Sequence, residues 1–156
     1  MRPLLLLCYL LLTACQSKQI PANQTWPVPP ERLFAYQETP AEPSQYLIVN
    51  RDDAWWGRKC LASVYINGQL AVQLEIAESA AFQLPYGQWD LAVDAGDCGR
   101  AQLMVPLSNL AASRYRIAFD AEANVQLLPT EAGNSILCRY GGCGGGRPVF
   151  RPRVVF

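Results

Sequence analysis

Two alternating apolar runs meet at Asn67-Gly68. Adjacent Asn and Gly accept the positive φ angles of a two-residue type I′ turn, so segments 60–66 and 69–76 are expected to fold back as a hairpin. The second run alternates without a break. Leu70, Val72, Leu74 and Ile76 fall on one face, and Gln69, Ala71, Gln73 and Glu75 on the other. Successive strand side chains point to opposite sides of a sheet, so the first set is assigned to the core. A two-residue loop also sets a register, with Tyr65 opposite Leu70, Ser63 opposite Val72 and Leu61 opposite Leu74.

The same period recurs along the chain. Residues 46–51 read as a strand. Ala80, Phe82 and Leu84 repeat the alternation and lead into the turn signal Pro85-Tyr86-Gly87. Trp89, Leu91 and Val93 then oppose Gln88, Asp90 and Asp94, and Tyr115, Ile117 and Phe119 oppose Arg114, Arg116 and Asp120. A last strand is expected at 124–128, while 103–110 reads as either a strand or a helical turn. About seven short strands with no long amphipathic helix predict an all-β fold, an antiparallel β-sandwich. The 156 residues, half of them apolar and 17% charged, suit a single globular domain.

Composition removes several function classes. The chain has no histidine, so a Ser-His-Asp triad, a Cys-His dyad and a histidine metal site are excluded. The only lysines are Lys18 and Lys59, and no Ser-x-x-Lys pattern occurs. The expectation is therefore a protein that is not an enzyme and has no cofactor. A formal net charge of zero gives no support for nucleic-acid binding.

The N-terminus carries an address. Arg2 precedes an apolar run at 4–12 that is far shorter than the ~20 residues of a transmembrane helix and fits the h-region of a signal peptide. The run ends in Leu12-Thr13-Ala14-Cys15, which resembles the lipobox of bacterial lipoproteins: an apolar residue, two small residues, then cysteine. The resemblance implies a signal peptide at 1–14 and lipidation, including palmitate, on Cys15. It also implies a membrane partner reached through that lipid anchor. Gln16 in place of Asp after the cysteine implies the outer membrane, with the domain on its periplasmic face. Residues 15–30 contain Pro21, Pro27, Pro29 and Pro30 and read as an extended tether, with Trp26 and Val28 as the residues able to pack back on the domain. Residues 31–137 form the sandwich, with one helical turn possible after Pro30, and 138–156 form a tail.

Residues 46–120 further resemble small uncharacterised bacterial lipoprotein domains of the PEGA-like β-sandwich type. Cys60, the hairpin Val64-Tyr65-Ile66-Asn67-Gly68, the run Phe82-Gln83-Leu84-Pro85-Tyr86-Gly87 and Trp89 carry the resemblance. It implies an envelope-facing sandwich and no known catalysis.

With Cys8 in the signal peptide and Cys15 lipidated, Cys60, Cys98, Cys138 and Cys143 remain. An even number in an exported domain points to disulfides. Three pairings are possible. Cys60–Cys98 with Cys138–Cys143 is favoured, because Gly141 and Gly142 permit a tight return between the last two. A four-thiolate zinc site is the rival, weakened because Cys60 and Cys98 each stand alone rather than in paired elements, so no metal is expected.

Two segments are candidates for binding. Trp55 and Trp56 lie among charges in 52–59 and suit either stacking on a sugar or shielding of the Cys60 bridge. The carboxylates Asp52, Asp53, Asp94 and Asp97 match no calcium-loop spacing and read as solvated turn residues. The tail holds Arg139, Arg147, Arg151 and Arg153 with no acid and ends at Phe156, whereas residues 15–138 hold 8 basic and 13 acidic residues. Its chemistry suits an anionic envelope glycan or lipid, an envelope protein's sheet edge, or the chain's own acidic domain. The expectation is a non-enzymatic outer-membrane lipoprotein serving as a structural or protein-interaction module. The alternative is a glycan- or peptidoglycan-binding module using Trp55, Trp56 and the tail.

Overall fold

A computed structural model of the chain describes residues 17–21, 24–109 and 112–130. Cys15, Cys138, Cys143, Arg147, Arg151, Arg153 and Phe156 lie outside the described residues. The strands in chain order are β1 Trp26–Pro27, β2 Ser44–Arg51, β3 Ala62–Ile66, β4 Gln69–Leu74, β5 Glu78–Pro85, β6 Gly87–Asp94, β7 Arg100–Leu107, β8 Ser113–Phe119 and β9 Val125–Pro129. They form a five-stranded sheet, β1-β5-β2-β8-β9, packed on a four-stranded sheet, β4-β3-β6-β7. The fold is an all-β sandwich, dominated by antiparallel pairing. Two pairings are parallel, β2 with β8 and β1 with β5.

The alternating residues build the core. Leu47 and Val49 of β2, Phe82 and Leu84 of β5, and Ile117 and Phe119 of β8 supply one layer, with Val64, Val72 and Leu91 facing them from the second sheet. The ambiguous stretch after residue 100 is the strand β7, with Val105 and Leu107 buried.

The hairpin forms at Asn67-Gly68, with φ values of 48° and 76°. Its expected register is corrected. Tyr65 does pair with Leu70, but the ladder then steps to Val64–Val72, Ser63–Gln73 and Ala62–Leu74. The uninterrupted register would have buried the Ser63 hydroxyl opposite Val72 and turned Val64 outward. A bulge at Ala71 instead sets Val64 and Ile66 on the core side with Val72 and Leu74, and Leu61 is left exposed.

Residues the sequence assigns to a tether run along the sandwich. Trp26 and Pro27 pair with Glu78 and Ser79. Val28 is buried in the core. A 3₁₀ turn at Pro30–Arg32 follows, with Pro30 at its first position. Leu33 bridges to Val72 of β4. The segment thus joins the β5 side of one sheet to the β4 edge of the other. Arg32 secures it: its guanidinium donates to the Gln73 carbonyl at 3.2 Å and forms an ion pair with the nearly buried Glu78.

Candidate functional site

β2 runs the length of the sandwich, and its two ends differ. The C-terminal end is built on charge. The alternation of Leu47 and Val49 continues onto Arg51, which is only 2% exposed. Nη1 of Arg51 donates to the Leu74 carbonyl at 3.0 Å and Nη2 to the Gly57 carbonyl at 2.8 Å, and the guanidinium lies 5.1 Å from the centroid of the Phe119 ring. Burial lowers its pKa, partly offset by Glu75 and Glu78.

Asp52 is fully buried beside it. Its Oδ2 accepts from the Arg116 guanidinium and from Ser17 Oγ, the latter at 3.3 Å. Burial raises the carboxyl pKa above the ordinary aspartate value, and Arg116, Ser17 and the Ile20 backbone act against that rise. The next residue continues the contact, as the Lys18 backbone N–H donates to the Asp53 carbonyl at 3.1 Å. The first described residues of the chain are therefore fastened at the base of the loop that carries the paired tryptophans.

That loop is held from below. Ala54 is buried. Gly57 has φ +79° and lies directly on the Phe119 ring. Its carbonyl accepts from Arg51 and from the Cys60 N–H, the latter at 2.9 Å. Cys60 forms a disulfide with Cys98, tying the loop to the 3₁₀ turn Gly96–Cys98. Above this base Trp55 is 73% exposed and Trp56 44% exposed, and the Arg58 guanidinium stands 5.2 Å from the Trp55 ring. The loop thus presents two indoles to solvent on a fixed support. The sequence placed both tryptophans in a candidate binding loop and paired Cys60 with Cys98. Cys138–Cys143 lies outside the described residues.

Trp26, 71% exposed, stands at the same end of the molecule. It pairs with Glu78, next to Ser79, which pairs with Asn50 at the close of β2.

The carboxylates singled out by sequence are dispersed in role. Asp52 corrects the expectation of a solvated turn residue: it is fully buried, because Arg116 supplies the partner that burial requires. Asp94 pairs with Arg100 at 2.7 Å and accepts from the Gly96 N–H at 2.9 Å, which lowers its pKa. Among the described residues no three potential ligands cluster in a way that would hold a metal ion.

The N-terminal end of β2 carries a different feature. Ser44 pairs with Pro85 there. A groove of about 570 Å³ lies between residues 34–40 and 83–89, lined by Phe34, Tyr36, Gln37, Leu84, Pro85 and Trp89. Tyr36, at φ 58°, donates its hydroxyl to the Ile66 carbonyl at 2.9 Å and meets Phe82 and Trp89 edge-on. The Trp89 indole donates to the Pro85 carbonyl at 2.9 Å. With eight residues in β2 at about 3.3 Å each, the groove and the tryptophan loop are separated by roughly 23 Å.

No protein-family model matches the chain, and no curated protein or solved structure shows significant similarity to it.

Proposed function

We propose that the protein is a non-enzymatic outer-membrane lipoprotein on the periplasmic face, anchored through acylated Cys15 and acting as a protein-interaction module. The observation that carries this reading is the polarity of the sandwich. Ser17 and Lys18, two and three positions after Cys15, are fastened to Asp52 and Asp53 at one end. The aromatic groove opens at the other. An anchor at Cys15 therefore turns the groove toward the periplasm, where an apolar segment of an envelope protein fits between Phe34 and Trp89.

Two measurements test it. Mass spectrometry of the N-terminal peptide reads acylation, and Cys15→Ser should move the protein from the outer-membrane fraction to the soluble periplasm. A photo-crosslinking residue at Phe34 should yield a discrete adduct in cells, while the same residue at Met104, exposed on β7, should not. Equal labelling at both positions would remove the groove from the reading.

The exposed indoles support a second reading, binding of a glycan or peptidoglycan through Trp55, Trp56 and the basic tail. A change in their fluorescence across a panel of sugars is the test.

A further inference from the structure

The covalent position of the tryptophan loop favours another occupant. Resting on the acylation reading above, we infer that the Trp55-Trp56 loop seats in the headgroup layer of the bilayer that holds the Cys15 acyl chains, making the anchor a two-point attachment.

Reach is the first reason. Lys18 is bridged to Asp53. Lys18 lies three residue steps after Cys15, and at no more than about 3.6 Å each they span at most ~11 Å. Trp55 follows Asp53 by two residues, so its backbone lies at most ~7 Å further along the chain. An acylated Cys15 sits at the bilayer surface, so this end of the sandwich is held against that surface with no spacer. The loop is the part of the chain brought there.

The chemistry of the loop is the second reason. Indoles favour the membrane–water interface, where the ring is apolar and the N–H remains hydrated. Trp55 and Trp56 are already exposed, and Trp26 adds a third indole at the same end. Arg58 over Trp55, with Lys59 and Lys18 beside it, can direct cationic tips to lipid phosphates while the rings sit deeper. Asp53, Glu75, Asp94, Asp97 and Asp120 lie at the same end and offset that positive charge, so the contact rests on the indoles rather than on anionic lipid.

Preorganisation is the third. The Arg51 bonds, the Gly57–Phe119 contact and the Cys60–Cys98 bridge fix the loop before it meets a membrane. Little ordering entropy is then lost on insertion.

The test uses the full chain purified from membranes, with acylation of Cys15 first read by mass spectrometry. The protein is reconstituted into phosphatidylcholine vesicles whose acyl chains are brominated near the headgroup. Trp26, Trp55 and Trp56 are three of the four tryptophans, so emission should fall by about three quarters. The variant Trp55→Phe with Trp56→Phe keeps ring bulk on the loop, should float with the vesicles as the native chain does, and should lose about two thirds of the quenching, Trp26 keeping the rest. Adding anionic phosphatidylglycerol to the vesicles should change nothing. An acylated chain whose emission bromine leaves untouched overturns the loop contact and leaves the anchor standing. A chain without acyl groups on Cys15 overturns both. Sugar-dependent emission changes in the Cys15→Ser protein, with no bromine quenching of the acylated chain, would give the loop to a glycan and overturn the membrane contact.

Discussion

Gly57 lies flat against the ring of Phe119: a Cβ added to the glycine would stand 2.4 Å from Phe119 Cδ1. The position also has φ +79°, where L side chains are strained. Gly57→Ala therefore has to rotate the backbone and displace a core ring at once. We expect a loss of about 2–4 kcal/mol, from left-handed strain plus overpacking. Urea unfolding measures the loss. Faster depolarisation of Trp55 and Trp56 emission should accompany it, because the glycine is the floor of their loop.

The Cys60–Cys98 bridge closes a segment of 38 residues. On the chain-entropy model a loop of that length stabilises by about 4 kcal/mol, with 2–4 kcal/mol the usual range. The double variant Cys60→Ser, Cys98→Ser should lose stability in that range. Unlike reductant, it leaves Cys138 and Cys143 unaltered. Thermal melts of the variant against native protein check the figure. Resistance of Cys60 and Cys98 to thiol labelling in native protein checks the pairing itself.

Among the described residues, Arg51 is the only charged residue in the set of largest fully buried side chains. Its removal strips donors from the Leu74 and Gly57 carbonyls. Arg51→Met should cost about 3 kcal/mol, the price of leaving such buried acceptors short of partners. Arg51→Lys should recover little, because an ammonium cannot reproduce the planar fork that spans two carbonyls and packs on Phe119. Chemical denaturation of both variants decides this. Full rescue by lysine would show that charge alone matters there.

The sandwich was legible because its information lies in period-two alternation. Val72 and Leu74 could face the core together only as a strand, and Asn67-Gly68 permitted one turn. The same logic erred by one step at Ala71, since a bulge leaves no mark in the alternation of a single strand. It shows only when the Val64–Val72 and Ser63–Gln73 pairs are seen together. Arg51 could have been found: it occupies the same period-two face as Leu47 and Val49, which places a guanidinium in the core. The docking of Trp26 and Val28 was harder to read, because their proline neighbours give the same local pattern in a free tether and in an edge segment. The tryptophan loop was visible as composition. Its support by Gly57, Phe119 and Arg51 depends on contacts between residues up to 68 positions apart in sequence, from 51 to 119.

The pH dependence of stability should carry opposing contributions from named aspartates. Burial raises the folded-state pKa of Asp52 above 3.8. Between that value and the folded pKa, the folded chain retains a proton that the unfolded chain has released, so stability falls as pH rises through the folded value. Asp94 and Asp120 behave in the reverse sense. Backbone donors at Gly96 and Asn124 lower their pKa values, so their contribution is present above 3.8 and is lost as pH falls through the folded values. Asp52→Asn removes the first contribution and keeps an oxygen acceptor for Arg116 and Ser17. Urea midpoints measured across pH about 2–8 should therefore show a declining limb above 3.8 in native protein that flattens in the variant, with the acid limb intact in both. Parallel curves would mean that the folded chain carries Asp52 ionised throughout. In that case the Arg116 pair, rather than burial, sets the charge state at the point where the N-terminal segment is fastened to the tryptophan loop.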